Sequence, residues 1–346
     1  MKKAFSGYYT PSEGEFEELW ENARIILDAN VLLTTYGVSQ STREALISLF
    51  ENVKERLWIP HQFAFEYQRN RLEKILEQVK HYEDAHRTLT MILEEQFRSR
   101  TRHPFVSEQI ENGLEEICKN LLAGKAEQEK LLHSDPHFVK ITELFEGKVG
   151  APYSDSELGG VYETARKRFS EKIPPGFKDT DKPEPLRFGD YVGWRQILDF
   201  AEKHKVAVIF VTDDAKEDWW KKEGTKTFGP RPEIVEEFRR CCSTLFYMYS
   251  SDRFLEFSVK YIGQRVDPRA ISELKERRES EPPPDAIKAT IVQVQDTLAI
   301  KSTSYTSGHP ISQEKPILDA PKLTEQDSKE KDPKPTAPDL NKPEGE

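Results

Sequence analysis

The stretch Val206-Ala-Val-Ile-Phe-Val-Thr-Asp-Asp214 decides the fold. Its apolar residues, rich in β-branched side chains, stop abruptly at a threonine and two carboxylates. A run of this kind without polar alternation predicts a strand buried on both faces, as in a parallel sheet. In open α/β sheets, ligands bind just beyond the carboxyl ends of the strands. Asp213 and Asp214 are therefore expected where such a fold keeps its chemistry. The stretch Arg24-Ile-Ile-Leu-Asp28-Ala-Asn30-Val-Leu-Leu33 repeats the design. It reads as a first strand signal over Ile25 to Leu33, with Asp28 as the acid that ends the strand. Acids on two strand ends at one edge suggest a site for divalent metal ions.

Working outward, a helix is expected around Ser12 to Asn22. Another follows from Ser41, where Ser-Thr-Arg-Glu44 has the pattern of a capping box, and ends near Val53. Leu57-Trp-Ile59 reads as a short strand closed by Pro60. From His61 to about Glu146 the chain is charged and helix-prone, with apolar positions at helical spacing (Leu72, Ile75, Leu76, Val79, then Leu89, Ile92, Leu93). That is too long for one globular helix, so two or more are expected, broken near His103-Pro104 and Ser134-Asp135-Pro136. A helical patch at Glu157 to Ser170 precedes the turn-rich Ile173-Pro-Pro-Gly-Phe-Lys-Asp179. A helix Tyr191 to Lys203 opens at Asp190 and leads to the strand Val206 to Val211. A helix around Pro232 to Arg240, a strand Thr244 to Tyr249 and a short helix near Asp252 to Tyr261 follow. The alternation predicts an α/β fold, a parallel β-sheet flanked by helices. A folded domain over 1–268 would carry a long α-helical insertion at about 68–187. Residues 269–346, charged and proline-containing, read as a mostly disordered tail.

The 346 residues carry 51 Lys and Arg against 61 Asp and Glu, a formal charge of −10, so nothing draws the chain to nucleic acid in general. Any such binding must come from a local basic patch or from metal ions. Cys118, Cys241 and Cys242 form no zinc-ligand spacing and read as reduced cysteines of a cytoplasmic protein. No apolar run reaches the roughly 18 residues of a membrane helix. The start, Met1-Lys-Lys-Ala-Phe, lacks the apolar core of a signal peptide.

Metal-assisted phosphodiester cleavage needs hard oxygen ligands and, in two-metal sites, ions about 4 Å apart. Carboxylates from different elements must converge to hold them. Asp28 ends the first strand, and Glu66 lies in His61-Gln-Phe-Ala-Phe-Glu66, about one turn into a helix. Asp190 sits at a helix start, and Asp213 and Asp214 end the later strand.

In these residues the chain resembles the PIN-like domain nucleases. That pattern is an Asp after the first strand, a Glu in an early helix, an Asp opening a later helix and a Thr-x-Asp after the next strand. Here those are Asp28, Glu66, Asp190, and Thr212 with Asp214; Asn30 fits a common form of the first motif. Bacterial variants with a long helical insertion are similar also in Pro174-Pro-Gly-Phe-Lys-Asp179, Gly189-Asp-Tyr-Val-Gly-Trp194, Thr212-Asp-Asp-Ala-Lys-Glu-Asp-Trp-Trp220 and Gly229-Pro-Arg-Pro-Glu233. The resemblance covers roughly residues 5–265. It implies a Mg2+- or Mn2+-dependent nuclease, most often acting on RNA, with 5′-phosphate and 3′-hydroxyl products. Asp28, Glu66, Asp190 and Asp214 would be the catalytic metal ligands. Asp213 could share or replace Asp214. Asn30 and Thr212 would orient ligand carboxylates.

For substrate contact, Arg231, in a stiff Pro-Arg-Pro turn, and Lys216 are the candidates, among lysines diluted by Glu217, Asp218 and Glu223. Asp179 and Asp181 could add an acid behind the ligands. Trp219 and Trp220 could stack on bases, though at least one is expected in the core. The insertion or the tail could recruit a protein partner, and the resemblance allows a homodimer. Two other readings compete. A phosphatase with an Asp nucleophile would need Asp-x-Asp-x-Thr, but Asp28-Ala-Asn30-Val-Leu lacks the second Asp and the Thr. A catalytically inactive PIN-like scaffold would not need to keep a full set of mutually repelling acids.

Overall fold

The protein is described by a computed structural model over residues 1–2, 5–98, 108–224 and 226–280. The expected break at His103-Pro104 and the tail from 281 onward lie outside the described residues. Four strands form one parallel sheet: β1 (Arg24–Leu27), β2 (Leu57–Trp58), β3 (Val208–Val211) and β6 (Phe246–Tyr249), in the order β2-β1-β3-β6. Trp58, Ile26, Phe210 and Met248 lie in register across it. Ile25, Ile26, Leu27 and all four residues of β3 are fully buried, as a sheet covered on both faces requires. This is the α/β fold expected from the apolar runs.

The strand order fixes where a ligand can enter. After β1 the chain crosses to β2 on one side; after β3 it crosses to β6 on the other. The two connections part between β1 and β3 and leave a crevice beyond their carboxyl ends. Asp28 follows β1 and Thr212 follows β3, directly at that crevice.

The flanking helices agree with the hydrophobic spacing in type, with shifted ends. They are α1 (Glu13–Asn22), α3 (Gln40–Asn52), α4 (His61–Ile92), α5 (Glu108–Lys130), α6 (Pro136–Phe145), α7 (Asp155–Ser170), α8 (Gly189–His204), α9 (Pro232–Cys242) and α10 (Ser251–Ile262). Ser39, not Ser41, caps α3, accepting from Thr42 N at 3.3 Å. α4, which begins before the expected insertion and runs into it, has 32 residues, a rod about 48 Å long at 1.5 Å per residue, and α5 packs along it. The insertion is not a separate body. Ile141, Leu144 and Phe145 of α6 and Ala165 of α7 join the same core as the sheet. Asp135 ties it down: it caps α6 through His137 N and Phe138 N, and binds Arg71 at 2.6 Å and the Tyr36 hydroxyl at 2.8 Å.

Three features differ from the sequence reading or are absent from it. First, β1 ends at Leu27, and Ala29–Thr34 form a short helix, α2. A short apolar run such as Val31-Leu-Leu33 does not distinguish strand from helix, and the chain must leave the sheet at the crevice. Second, β4 (Trp220–Glu223) and β5 (Lys226–Pro230) make an antiparallel hairpin with a bulge at Lys221/Lys222. Its turn uses Gly224 at φ +60°, a left-handed conformation that glycine adopts without strain. The strands are mostly exposed and lysine-rich, so no apolar alternation announces them.

Third, the fold does not stop at 268. Pro268–Ser280 form α11, which buries Ala270 and Leu274 one turn apart. Glu273 accepts from Ser39 and Thr42, Arg277 donates to Gly37 O, and Arg278 pairs with the buried Asp252 at 3.1 Å. A helix that docks through two apolar residues, an ion pair and several side-chain hydrogen bonds looks, in sequence, like a solvated charged run. Leu274→Ala is expected to cost about 2–4 kcal/mol of stability, read by urea unfolding. A change within the few tenths typical of an exposed site would place α11 off the core.

Candidate functional site

Thr212 joins the two strand ends. Fully buried, its hydroxyl donates to Asp28 Oδ2 at 2.6 Å and accepts from Asp214 N at 3.1 Å. Asn30 closes the junction: its amide nitrogen donates to Asp28 Oδ2 at 2.8 Å, and its carbonyl oxygen accepts from Asp213 N at 3.0 Å. The Asp28 carboxylate is thus aimed by side chains from both strands before anything binds to it. Burial pushes its pKa up to about 7; the Thr212 hydrogen bond opposes this, and the carboxylates of Glu66 and Asp214 add to it.

Glu66 and Asp190 approach from two helices. Glu66 lies in the second turn of α4, where Gln62 Nε2 donates to its Oε1 at 2.7 Å. It lies against the first residue of α8. A Cβ on Gly189 would stand 2.4 Å from Glu66 Oε1, so glycine there permits the close approach. Asp190 is next in the chain. Phe188 holds the N-cap position of α8, and no side chain caps it, so Asp190 is not a cap. Burial raises the Asp190 carboxyl well above its usual range, against the pull of Lys216; the charges of Asp214, Asp179 and Glu66 add to the rise. Burial likewise raises Glu66, opposed by Gln62, Lys182 and Arg69. Asp28 feels Glu66 and Asp214, and Asp190 feels the same two. These couplings place Asp28, Glu66, Asp190 and Asp214 near one another, with Asp28 buried and the other three half-buried.

The other expected residues divide. Asp213 turns away from the four acids: it accepts from Ser251 N at 2.8 Å at the start of α10 and faces Thr34 at 3.4 Å. Burial raises its pKa. Adjacent residues leaving a strand point to opposite sides, which separates it from Asp214. Arg231 pairs with Glu233 at 2.9 Å and donates to Glu217 O at 3.0 Å. Lys216 lies among the acids: its ammonium is 2.6 Å from Asp179, 2.8 Å from Asp214 and 3.8 Å from Asp190. Trp219 and Trp220 are both buried, and Trp220 Nε1 donates to Asp214 O at 2.6 Å.

Sequence reasoning underrated two groups. Asp218, grouped with surface charges, is fully buried and accepts from Gly176 N and Lys178 N at 3.0 and 3.1 Å. It pins the turn-rich loop that delivers Asp179. Its position before two tryptophans was the available signal. Asp179 is itself buried and held by Lys216 and by Lys182 at 2.5 Å. Burial would raise its pKa, but the two ammonium groups outweigh this and lower it.

In its chemistry the donor set suits a hard divalent cation, because all the donors are carboxylate oxygens. One of them, Asp190 Oδ2, is buried without a hydrogen bond. Among the described residues, no three His, Cys, Asp or Glu side chains stand close enough together, as placed, to hold an ion at once. The Lys216 ammonium lies among three of the acids, Asp179, Asp190 and Asp214.

A family model described as a PIN-like domain matches residues 24–234, more than half of the chain, from β1 into the first turn of α9. No curated protein and no solved structure matches.

The approach of Glu66 to Gly189 gives a stability test. Gly189→Ala is expected to destabilise the fold by about 1–3 kcal/mol through overpacking. Glu66→Ala should remove most of that penalty in the double variant. Additive effects in thermal unfolding would show that the two residues are not in contact.

Proposed function

The chain belongs to the PIN-like domain family, and from that premise we propose that it is a metal-dependent nuclease that hydrolyses phosphodiester bonds within single-stranded RNA. The observation that carries the reading is the gathering of Asp28, Glu66, Asp190 and Asp214 at the crevice between β1 and β3, drawn from four separate elements. Burying like charges together is costly unless a cation offsets them.

In this reading the four acids would hold Mg2+ or Mn2+. When bound, such ions supply an activated water and stabilise the leaving oxygen. The remaining work falls to the chain's own groups. Thr212 and Asn30 fix the direction of Asp28. Gln62 fixes Glu66. Asp218 and Gly176 place the loop that carries Asp179 behind Asp190. No titrating side chain need serve as the base, so the carboxylates act as holders. The exposed lysines of the hairpin, Lys221 and Lys222, lie on the chain just beyond the site and are available to a phosphate backbone.

The position of Lys216 favours a second reading, an inactive PIN-like scaffold whose acids are held by an internal cation. An assay separates the two. Single-stranded RNA and DNA of one sequence are incubated with protein and Mn2+. Cleavage by the wild type is expected to fall in Asp28→Asn and Asp214→Asn by more than the roughly 10–100-fold that loss of an outer partner costs. Full activity in both variants would remove the mechanism. No cleavage of either substrate, with no rise in thermal midpoint on adding Mn2+, would leave the scaffold.

A further inference from the structure

Lys216 stands where two of the proposed ligands meet. Its ammonium bridges Asp214 Oδ2 at 2.8 Å and Asp179 Oδ1 at 2.6 Å, and is 3.8 Å from Asp190 Oδ2, with 18% of its side chain exposed. Its own backbone N–H donates to Asp214 Oδ1 at 2.8 Å, so one residue engages both oxygens of that acid. The ammonium is strongly held in its charged form: burial works against it, but Asp190, Asp214 and Asp179 outweigh burial. Around the same space five carboxylates (Asp28, Glu66, Asp179, Asp190, Asp214) face two ammonium groups, those of Lys216 and Lys182.

The backbone of Lys216 is fixed, its N–H donating to Asp214 and its carbonyl accepting from Trp219 N and Trp220 N at 3.3 Å, whereas its ammonium is held through ion pairs. The residue belongs to the irregular stretch between β3, which ends at Val211, and β4, which begins at Trp220. Lysine is a compact point charge on a flexible four-carbon stem, so its head can leave without moving a strand. A divalent ion would need Asp214 and Asp190 as direct ligands at about 2.0–2.1 Å for Mg2+. Ion and ammonium would then compete for the same oxygens, as like charges.

Resting on the nuclease reading above, we propose that Lys216 is a tethered counter-cation that holds the place between Asp190 and Asp214 and is exchanged for the divalent ion when the site loads. The exchange sets metal affinity below what the acids alone would give, because loading breaks the ion pairs of Lys216. It also keeps the metal-free fold intact, because the acids are never left without a cation.

The test measures Mn2+ binding to the full chain by isothermal titration calorimetry, without nucleic acid. Lys216→Met keeps the stem and removes the charge; it is expected to bind Mn2+ tighter than the wild type by about 5-fold or more. Lys216→Arg keeps the charge in a wider planar group and is expected to bind no tighter than the wild type. Equal affinity of the wild type and Lys216→Met, or weaker binding by Lys216→Met, overturns the exchange and leaves the metal reading standing. Absence of binding in both overturns the metal reading and the exchange with it. If Lys216→Met is unfolded without metal, folding driven by Mn2+ supports the exchange; a chain that stays unfolded in Mn2+ contradicts it.

Discussion

The structure depends on how it pays for anionic charge buried at the end of a parallel sheet. Asp28 is buried and Asp190 half-buried; burial raises the carboxyl of each, and Glu66 lies beside them. A fold does not gather such groups for stability, since an apolar set of the same shape would pack without the repulsion. Much of the surrounding architecture serves to hold them in place. The hydroxyl of Thr212 and the amide of Asn30 lock two strand ends together. Gly189 makes room for Glu66. Asp218, at the far side, spends its hydrogen bonds on a loop rather than on an ion.

The sheet decides which acids can meet. With the order β2-β1-β3-β6, the divergence of the chain lies between the first and third strands, and that is where Asp28 and Thr212 emerge. Asp214 leaves toward this crevice while Asp213 leaves toward α10. One residue of offset therefore separates a candidate ligand from a helix-end contact. The helices that bring Glu66 and Asp190 are among the long apolar-faced elements of the core: Phe63 and Phe188, close in sequence to those two acids, are fully buried. The same core holds α6 and α7, whereas α5, which buries no residue, packs along α4.

What was legible in the sequence was legible because burial leaves a pattern. The unbroken apolar run before Thr212 gave the central strand, and the acids at strand ends gave the crevice. Helices with an apolar stripe were found in type and roughly in extent. What was not legible has two causes. Val31 to Leu33 carry apolar side chains without enough length to show a period, so α2 read as strand. The hairpin of β4 and β5 is exposed and lysine-rich, and α11, Asp218 and the Lys216–Asp179 pair depend on charged residues whose partners lie far away in the chain. Lys216 and Asp179 are 37 positions apart yet share an ion pair of 2.6 Å. Composition cannot tell a solvated lysine from one that holds a buried site together.

The most direct measurement is anomalous diffraction from crystals of the full chain grown with Mn2+. The account predicts a manganese peak beyond the carboxyl ends of β1 and β3, with oxygens of Asp28, Glu66, Asp190 and Asp214 around it and the Lys216 ammonium displaced. A well-diffracting crystal with saturating Mn2+ and no peak in that crevice, the four acids staying as they are, would contradict it.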